Sequence, residues 1–466
     1  MSGARRWTIF RASKPAAAAA AAAAKKSRVL AGDQRQHDQE RVFLARQDGR
    51  RFYVAWLVLG PGILAMLGEN DGPSMLSYAA DGTQYGIGFF LPFIVVLFVL
   101  AYVCQEMSMR VGAATGHGFG YLLTRRYGKT WGWFGAIDLI LTNLVTLVSE
   151  FIAIRIGFTY FHLPAGAAAA SGVALVVFTL VGRRYRGWER IVLGLALFNG
   201  LFLLTAILTK PDGASLAHAF VTWSPLPTGS IVTLLLLVTS TIGATVTPWM
   251  VFFQQSATAD KGMTARDVNQ GRLDTAIGAA LAAVFGCAAL IVGASIASRA
   301  HSHIDLSALN FPAAIAAHSG QVAGMLFALG LIEAGAVALL TISASTAYAI
   351  GETLGRSGTM NIAGRQGFVF YAVNTAAVTG AASIILIPGV PLIAIALNAN
   401  VLATVLLPVT LIFLVMLAND RHLMGSLTNN RSTNIAAGIV IVLIGACATA
   451  YTVTAFLQTF HALPGS

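Results

Sequence analysis

The chain has 466 residues, of which 56% are hydrophobic and only 11% are charged. A soluble domain carries about 25% charged residues. A soluble enzyme and a nucleic-acid binder are therefore excluded as first readings, although 30 Lys and Arg against 19 Asp and Glu leave a formal charge of +11.

Much of that excess sits in residues 1–51, a polar, low-complexity tail with an alanine run from Ala16 to Ala24. The tail has no apolar core ahead of a cleavage site, so it does not read as a signal peptide. It reads as a disordered basic arm, held in the cytoplasm and able to touch anionic lipid.

Beyond the tail, apolar runs of about 20 residues recur, the length a helix needs to cross a bilayer. They lie near 54–81, 86–109, 133–160, 165–181, 191–208, 230–257, 274–297, 312–350, 367–387, 391–418 and 435–459. That makes about eleven spans, the third and eighth long enough to include turns outside the bilayer. With the N-terminus inside, 27 of the 30 Lys and Arg fall on the cytoplasmic side. The exceptions are Lys210 and Arg299, which fall outside, and Arg155, which stays within a span. The positive-inside bias thus fits an odd span count, with residues 461–466 outside. The expected protein is all-α, lies in a bacterial inner membrane and works as a monomer. Cys104, Cys287 and Cys447 fall in separate runs without CxxC spacing, which suggests neither a disulfide nor a thiolate metal site.

Two runs are interrupted in corresponding ways. The first reads Gly60-Pro61-Gly62 and then Gly68-Glu69-Asn70-Asp71-Gly72-Pro73-Ser74. The sixth reads Gly243-Ala244-Thr245-Val246-Thr247-Pro248-Trp249. Gly and Pro near mid-span oppose an unbroken helix. Broken helices at matching places in two five-helix halves point to an inverted-repeat transporter with a site near the midplane.

Asp71 is the central candidate, because a mid-membrane carboxylate needs a cation, a proton or a polar cavity. Ser74 lies one turn on, and unwinding near Ala244 frees its carbonyl three residues before Thr247. A carboxylate, a carbonyl and two hydroxyls are hard oxygen donors suited to Mg2+, Ca2+ or Mn2+. Glu69 and Asn70 add acidity or water binding to this site, or else cap the broken helix. Glu150 lines a polar path or pairs with a neighbouring helix, and Glu333 is ambiguous in the same way. Arg155 is expected to snorkel towards an interface. His301 and His303 read as a solvated outer loop. No cofactor motif and no enzyme constellation stands out.

These residues resemble the Nramp (natural resistance-associated macrophage protein) divalent-metal transporters from about residue 52 to 460. The family's first-helix Asp-Pro-Gly-Asn is matched by Asp71-Gly72-Pro73-Ser74. Its second-helix pattern resembles Gln105 to Gly112 followed by Thr115-Gly116, and its third-helix Glu is matched by Glu150. Gly-Ala-Thr-Val-Met-Pro-His is matched by Gly243 to Trp249. Asn400 stands where the family often has Gln, and the stretch from Arg421 to Gly425 is also similar.

The resemblance implies two inverted repeats, near 52–208 and 228–418, plus one extra helix in a LeuT-type fold. It also implies a metal site at Asp71, Ser74, the Ala244 carbonyl and Thr247. Departures from the family pattern refine this. Ser74 replaces Asn, and Thr247 replaces the Met whose sulfur is the one soft ligand, so the remaining site suits a hard ion that keeps some water. Trp249 and Gln254 replace histidines linked to proton movement, and Leu147 replaces a carboxylate. This pattern resembles the Nramp-related magnesium transporters, implying Mg2+ and Mn2+ carriage by alternating access without proton coupling. The rival readings are a proton-coupled Mn2+/Fe2+ transporter, an organic-solute transporter of the same fold and a non-transporting receptor.

Overall fold

The structure is a computed structural model. It describes residues 40–461 except 42–43, 46, 51–52, 55–56, 58, 181–184, 225–229, 298–309, 356–359, 361–367 and 390. The expectations for residues 1–39, for His301 and His303 and for 462–466 lie outside the described residues. Every regular element among the described residues is helical.

In chain order the helices are α1 (Pro61–Glu69), α2 (Gly72–Tyr85), α3 (Phe90–Thr115), α4 (Phe119–Tyr127), α5 (Lys129–Tyr160) and α6 (Ala165–Leu180). Then come α7 (Tyr185–Ala196), α8 (Gly200–Leu208), α9 (Gly213–Thr222), α10 (Ile231–Gly243), α11 (Pro248–Asp260) and α12 (Val268–Ala297). The last are α13 (Phe311–Ser319), α14 (Gln321–Thr353), α15 (Phe368–Ile384), α16 (Leu392–Ala418), α17 (Arg421–Met424) and α18 (Arg431–His461).

Among the described residues, 8 helical stretches are long and apolar enough to cross a bilayer. They are α3, α5, α7–α8, α10–α11, α12 with the short turn before it, α14, α16 and α18. The protein is a multi-pass helical membrane protein.

The first expected span divides where its sequence demands. Pro61 opens α1, whose missing N–H is no loss in a first turn. The helix stops at Asn70, and Asp71 in extended backbone caps α2 by accepting the Ser74 N–H at 2.8 Å. In the sixth span, α10 ends at Gly243, and Thr247 is extended ahead of Pro248 at the start of α11.

Three differences from the sequence expectations have local causes. A 3-10 turn at Leu197–Asn199 splits the fifth span, with the buried Asn199 amide turned to the Glu333 carboxylate at 3.1 Å. The eighth run becomes α13 and α14, because Gly320 takes φ 96° between them. The short α9 is unforeseen; Asp212 caps it by accepting the Ala214 and Ser215 N–H groups.

Small residues let α2 and α12 meet backbone to backbone. A Cβ at Gly82 would stand 2.1 Å from the Leu290 carbonyl oxygen, and one at Gly293 would stand 2.0 Å from that of Ala79. This contact holds α2 in place above the break at Asp71. Arg155, expected to reach an interface, donates to the Ile385 carbonyl at 2.6 Å and so ties α5 to the end of α15. The three cysteines are free.

Candidate functional site

The break between α1 and α2 and the break between α10 and α11 place the sequence candidates together. Asp71 is 1% exposed, Thr247 is 2% exposed, and Glu69, Asn70, Ser74, Ala244 and Glu150 are fully buried. Three carboxyl groups converge here. Glu150 of α5 accepts the Gly72 N–H at 3.0 Å and lies alongside Asp71. A Cβ at Gly72 would meet the Ala153 Cβ at 2.1 Å, so only glycine lets α5 come this close. Glu69 accepts the Thr247 hydroxyl at 2.8 Å and thereby joins the two breaks.

The four expected ligands are not equivalent in this conformation. The Ser74 hydroxyl lies beside the Asp71 carboxyl, whereas the Ala244 carbonyl is taken by the Tyr78 phenol at 2.6 Å and Thr247 is engaged with Glu69. One oxygen each of Glu69, Asn70 and Glu150 is unpartnered. Buried oxygens left without a donor cost about 1–3 kcal/mol each. Among the described residues, none of these three carboxylates has a Lys or Arg partner. No three His, Cys, Asp or Glu among the described residues form a ready metal-ligand set. A cation here would lean on hydroxyl, amide and carbonyl oxygens as well.

The remaining expected residues lie around this centre. Asn70 donates to the Ala282 carbonyl at 3.0 Å. Trp249 is fully buried and packs its ring towards Gly68 of α1. Gln254 sits further along α11 and donates to Thr275 of α12 at 2.8 Å, away from the break. Asn400 of α16 donates to Ser77 at 3.0 Å, and Ser77 shares a hydrogen bond with Ser240 at 2.9 Å.

Sequence reasoning missed Tyr78, Ser77 and Ser240. A signal was available: Asp71, Ser74, Ser77, Tyr78 and Asp81 recur at helical spacing along α2, a polar stripe in an apolar run.

Buried polar contacts flank the site along both α1 and α2. At the start of α1, Asp274 of α12 accepts the Gly60 and Gly62 N–H groups at 2.8 and 2.6 Å. Lys261 donates to both oxygens of Glu189 in α7 at 2.8 Å and to the Leu59 carbonyl at 2.5 Å. Glu189, Lys261 and Asp274 are all buried. Gly60 has φ 148°, and a Cβ there would stand 2.3 Å from Glu189. On the other side, the Tyr78–Ala244 and Ser77–Ser240–Asn400 contacts seam α2, α10 and α16.

These features define a class: a helical membrane protein with a buried carboxylate cluster between two interrupted helices. The chain matches the family described as "Natural resistance-associated macrophage protein-like" over residues 62–454, and it belongs to that family. It is 30% identical over 295 residues to the "Divalent metal cation transporter MntH" of Ralstonia nicotianae, a match covering 59% of this chain and 64% of the relative. The chain thus spans under two thirds of that relative's length. It is 25% identical over 401 residues to the MntH of Aeromonas hydrophila, covering 83% of this chain and 93% of the relative.

Its fold is similar to that of a crystallised Eremococcus coleocola manganese transporter, with TM-score 0.74, 18% identity, and coverage of 89% of this chain and 90% of that one. It also resembles MhsT in complex with L-phenylalanine, with TM-score 0.52, 14% identity, and coverage of 85% and 98%.

Proposed function

We propose that this protein is a divalent-cation carrier that moves Mg2+ and Mn2+ by alternating access without proton coupling. The observation that carries the reading is the buried carboxylate cluster at Asp71. There, Glu69, Asn70 and Glu150 present unpartnered oxygens and have no basic partner among the described residues. Like charges held together in a low-dielectric space repel, and a divalent cation relieves that repulsion. The names of the similar MntH proteins and of the manganese transporter agree with such a cargo.

Thr247 keeps the donor set hard, which favours Mg2+ alongside Mn2+. The ion would meet Asp71 and Ser74 first. It would gain the Ala244 carbonyl and Thr247 once Tyr78 and Glu69 release them. Trp249 and Gln254 carry no titratable group near neutral pH, which supports the uncoupled reading.

The broken α1–α2 pair, α6 and α15 would bring the span count to about eleven. They would complete two five-helix repeats, with α18 as the extra helix. The membrane would be a bacterial inner membrane, with the basic tail inside, the C-terminus outside and a monomer as the working unit.

One observation favours a second reading. Glu69 and Glu150 flank Asp71 and could carry protons, which would make the protein a proton-coupled Mn2+/Fe2+ transporter. The test is uptake into liposomes with internal pH followed, comparing wild type with Asp71→Ala. Uptake of both Mg2+ and Mn2+, lost in the variant and without acidification, supports the first reading. Mn2+ uptake that resists Mg2+ and acidifies the lumen supports the second.

A further inference from the structure

Asp81 is a buried carboxylate that the Asp71 cluster does not use. It is fully buried in α2, about 15 Å beyond Asp71 at 1.5 Å per residue. One of its oxygens lies 2.5 Å from the Thr241 hydroxyl of α10, and the other has no partner. The Thr241 hydroxyl also lies 2.7 Å from the Leu237 carbonyl. A hydroxyl has one proton, and it cannot serve both acceptors fully.

Asp81 therefore holds more acceptor capacity than its surroundings satisfy. No Lys or Arg among the described residues pairs with it. One turn nearer Asp71 on α2 lies Ser77, linked to Ser240 of α10 at 2.9 Å and to Asn400 of α16 at 3.0 Å. The Tyr78–Ala244 contact stands between this group and Asp71.

We infer that Asp81 and Thr241, with Ser77, Ser240 and the Asn400 amide, form a second cation station on the α2–α10 approach to the Asp71 cluster, for a hard, partly hydrated divalent ion. A carboxylate, hydroxyls and an amide oxygen are the donors such an ion takes while keeping water. Occupancy requires α2 and α10 to part, and that parting also frees the Ala244 carbonyl from Tyr78. The station thus captures an ion on the side from which the Asp71 site then opens. Its role in transport rests on the carrier reading, whereas its capacity to bind does not.

Two measurements separate these questions. The first is calorimetric Mn2+ binding to purified full-length protein carrying Asp71→Ala, which removes the cluster's central carboxylate. A residual weak site, lost when Asp81→Asn is added and restored by Asp81→Glu, is expected. Absence of residual binding, or binding indifferent to Asp81→Asn, overturns the station whether or not the protein transports.

The second is liposome uptake by protein carrying Asp81→Asn or Thr241→Val alone. A KM for Mn2+ raised about tenfold for Asp81→Asn and a few-fold for Thr241→Val, with kcat largely kept, is expected. An unchanged KM, or a change in pH dependence without one, overturns the role in transport. If wild type moves no divalent ion, the carrier reading fails while the binding result still stands or falls by itself.

Discussion

On the proposed reading, Thr247 sets which ion the site prefers. Its hydroxyl now serves Glu69, and nothing soft remains among the candidate ligands. Thr247→Met introduces a thioether and removes that hydroxyl. The expected result is a rise of about tenfold in preference for Mn2+ over Mg2+, worth ~1.4 kcal/mol, read from competition in uptake. Gly72 makes a different demand. Gly72→Ala drives a methyl group into Ala153 and strains the N–H bond to Glu150. Overpacking of this kind costs about 1–3 kcal/mol, so a lower melting temperature together with lost uptake is expected. Neither Gly72's neighbour nor Glu69's partner was legible in the sequence. Asp71 was, because Gly and Pro in mid-span advertise a break and a carboxylate there needs a purpose. Thr247 and Glu69 are 178 positions apart, and no periodicity reports which hydroxyl a carboxylate will find across a bundle.

At the scale of helices, α1 is fastened by charge rather than by packing alone. Lys261 is buried against Glu189, and removing one member of such a pair costs about 3–5 kcal/mol because the other is stranded. Lys261→Met is expected to loosen the start of α1. A thiol placed by Ala65→Cys should then react faster with reagent applied from the tail side. Adding Glu189→Leu should restore melting temperature more than it restores closure. Equal labelling in wild type and Lys261→Met would show that the latch does not govern access.

The cap of α9 gives a separate pH signature. Hydrogen bonds from the Ser215 side chain and the Ser215 and Ala214 N–H groups hold the Asp212 carboxyl below its usual range. Its folded value lies under the unfolded one, so its contribution is complete above about pH 4 and is lost as pH falls below that. Limited proteolysis at α9 should accelerate only at the acid end, and Asp212→Asn should abolish that dependence. Both helix breaks were readable from sequence; the latch was not. Glu189, Lys261 and Asp274 look like ordinary charges near span ends, and only the assembled bundle shows that they are buried against backbone donors and acceptors.

Over the whole molecule, the charge bias along the chain sets an expected orientation in the membrane. Lys and Arg gather at alternate ends of successive spans, and this predicts sidedness. A thiol from His461→Cys should react with an impermeant reagent on intact cells, while one from Asp48→Cys should react only after the membrane is breached. Labelling of both from outside would overturn the arrangement. The helical class, the two breaks and most spans could be read from the sequence, because bilayer thickness imposes a length and backbone chemistry punishes interruption. The 3-10 turn at Asn199, the turn at Gly320 and the small α9 could not, since each depends on a local contact and not on hydropathy.

The buried position of Asp71, read as the seat of a divalent cargo, has an energetic corollary. On the proposed uncoupled reading, net uptake stops only where concentration balances voltage. Two charges at 100 mV amount to ~4.6 kcal/mol, which corresponds to an accumulation of about two thousandfold. Vesicles clamped at graded potentials should therefore fill to graded plateaus. The final ion ratio would then work as a voltmeter, independent of how quickly the protein turns over.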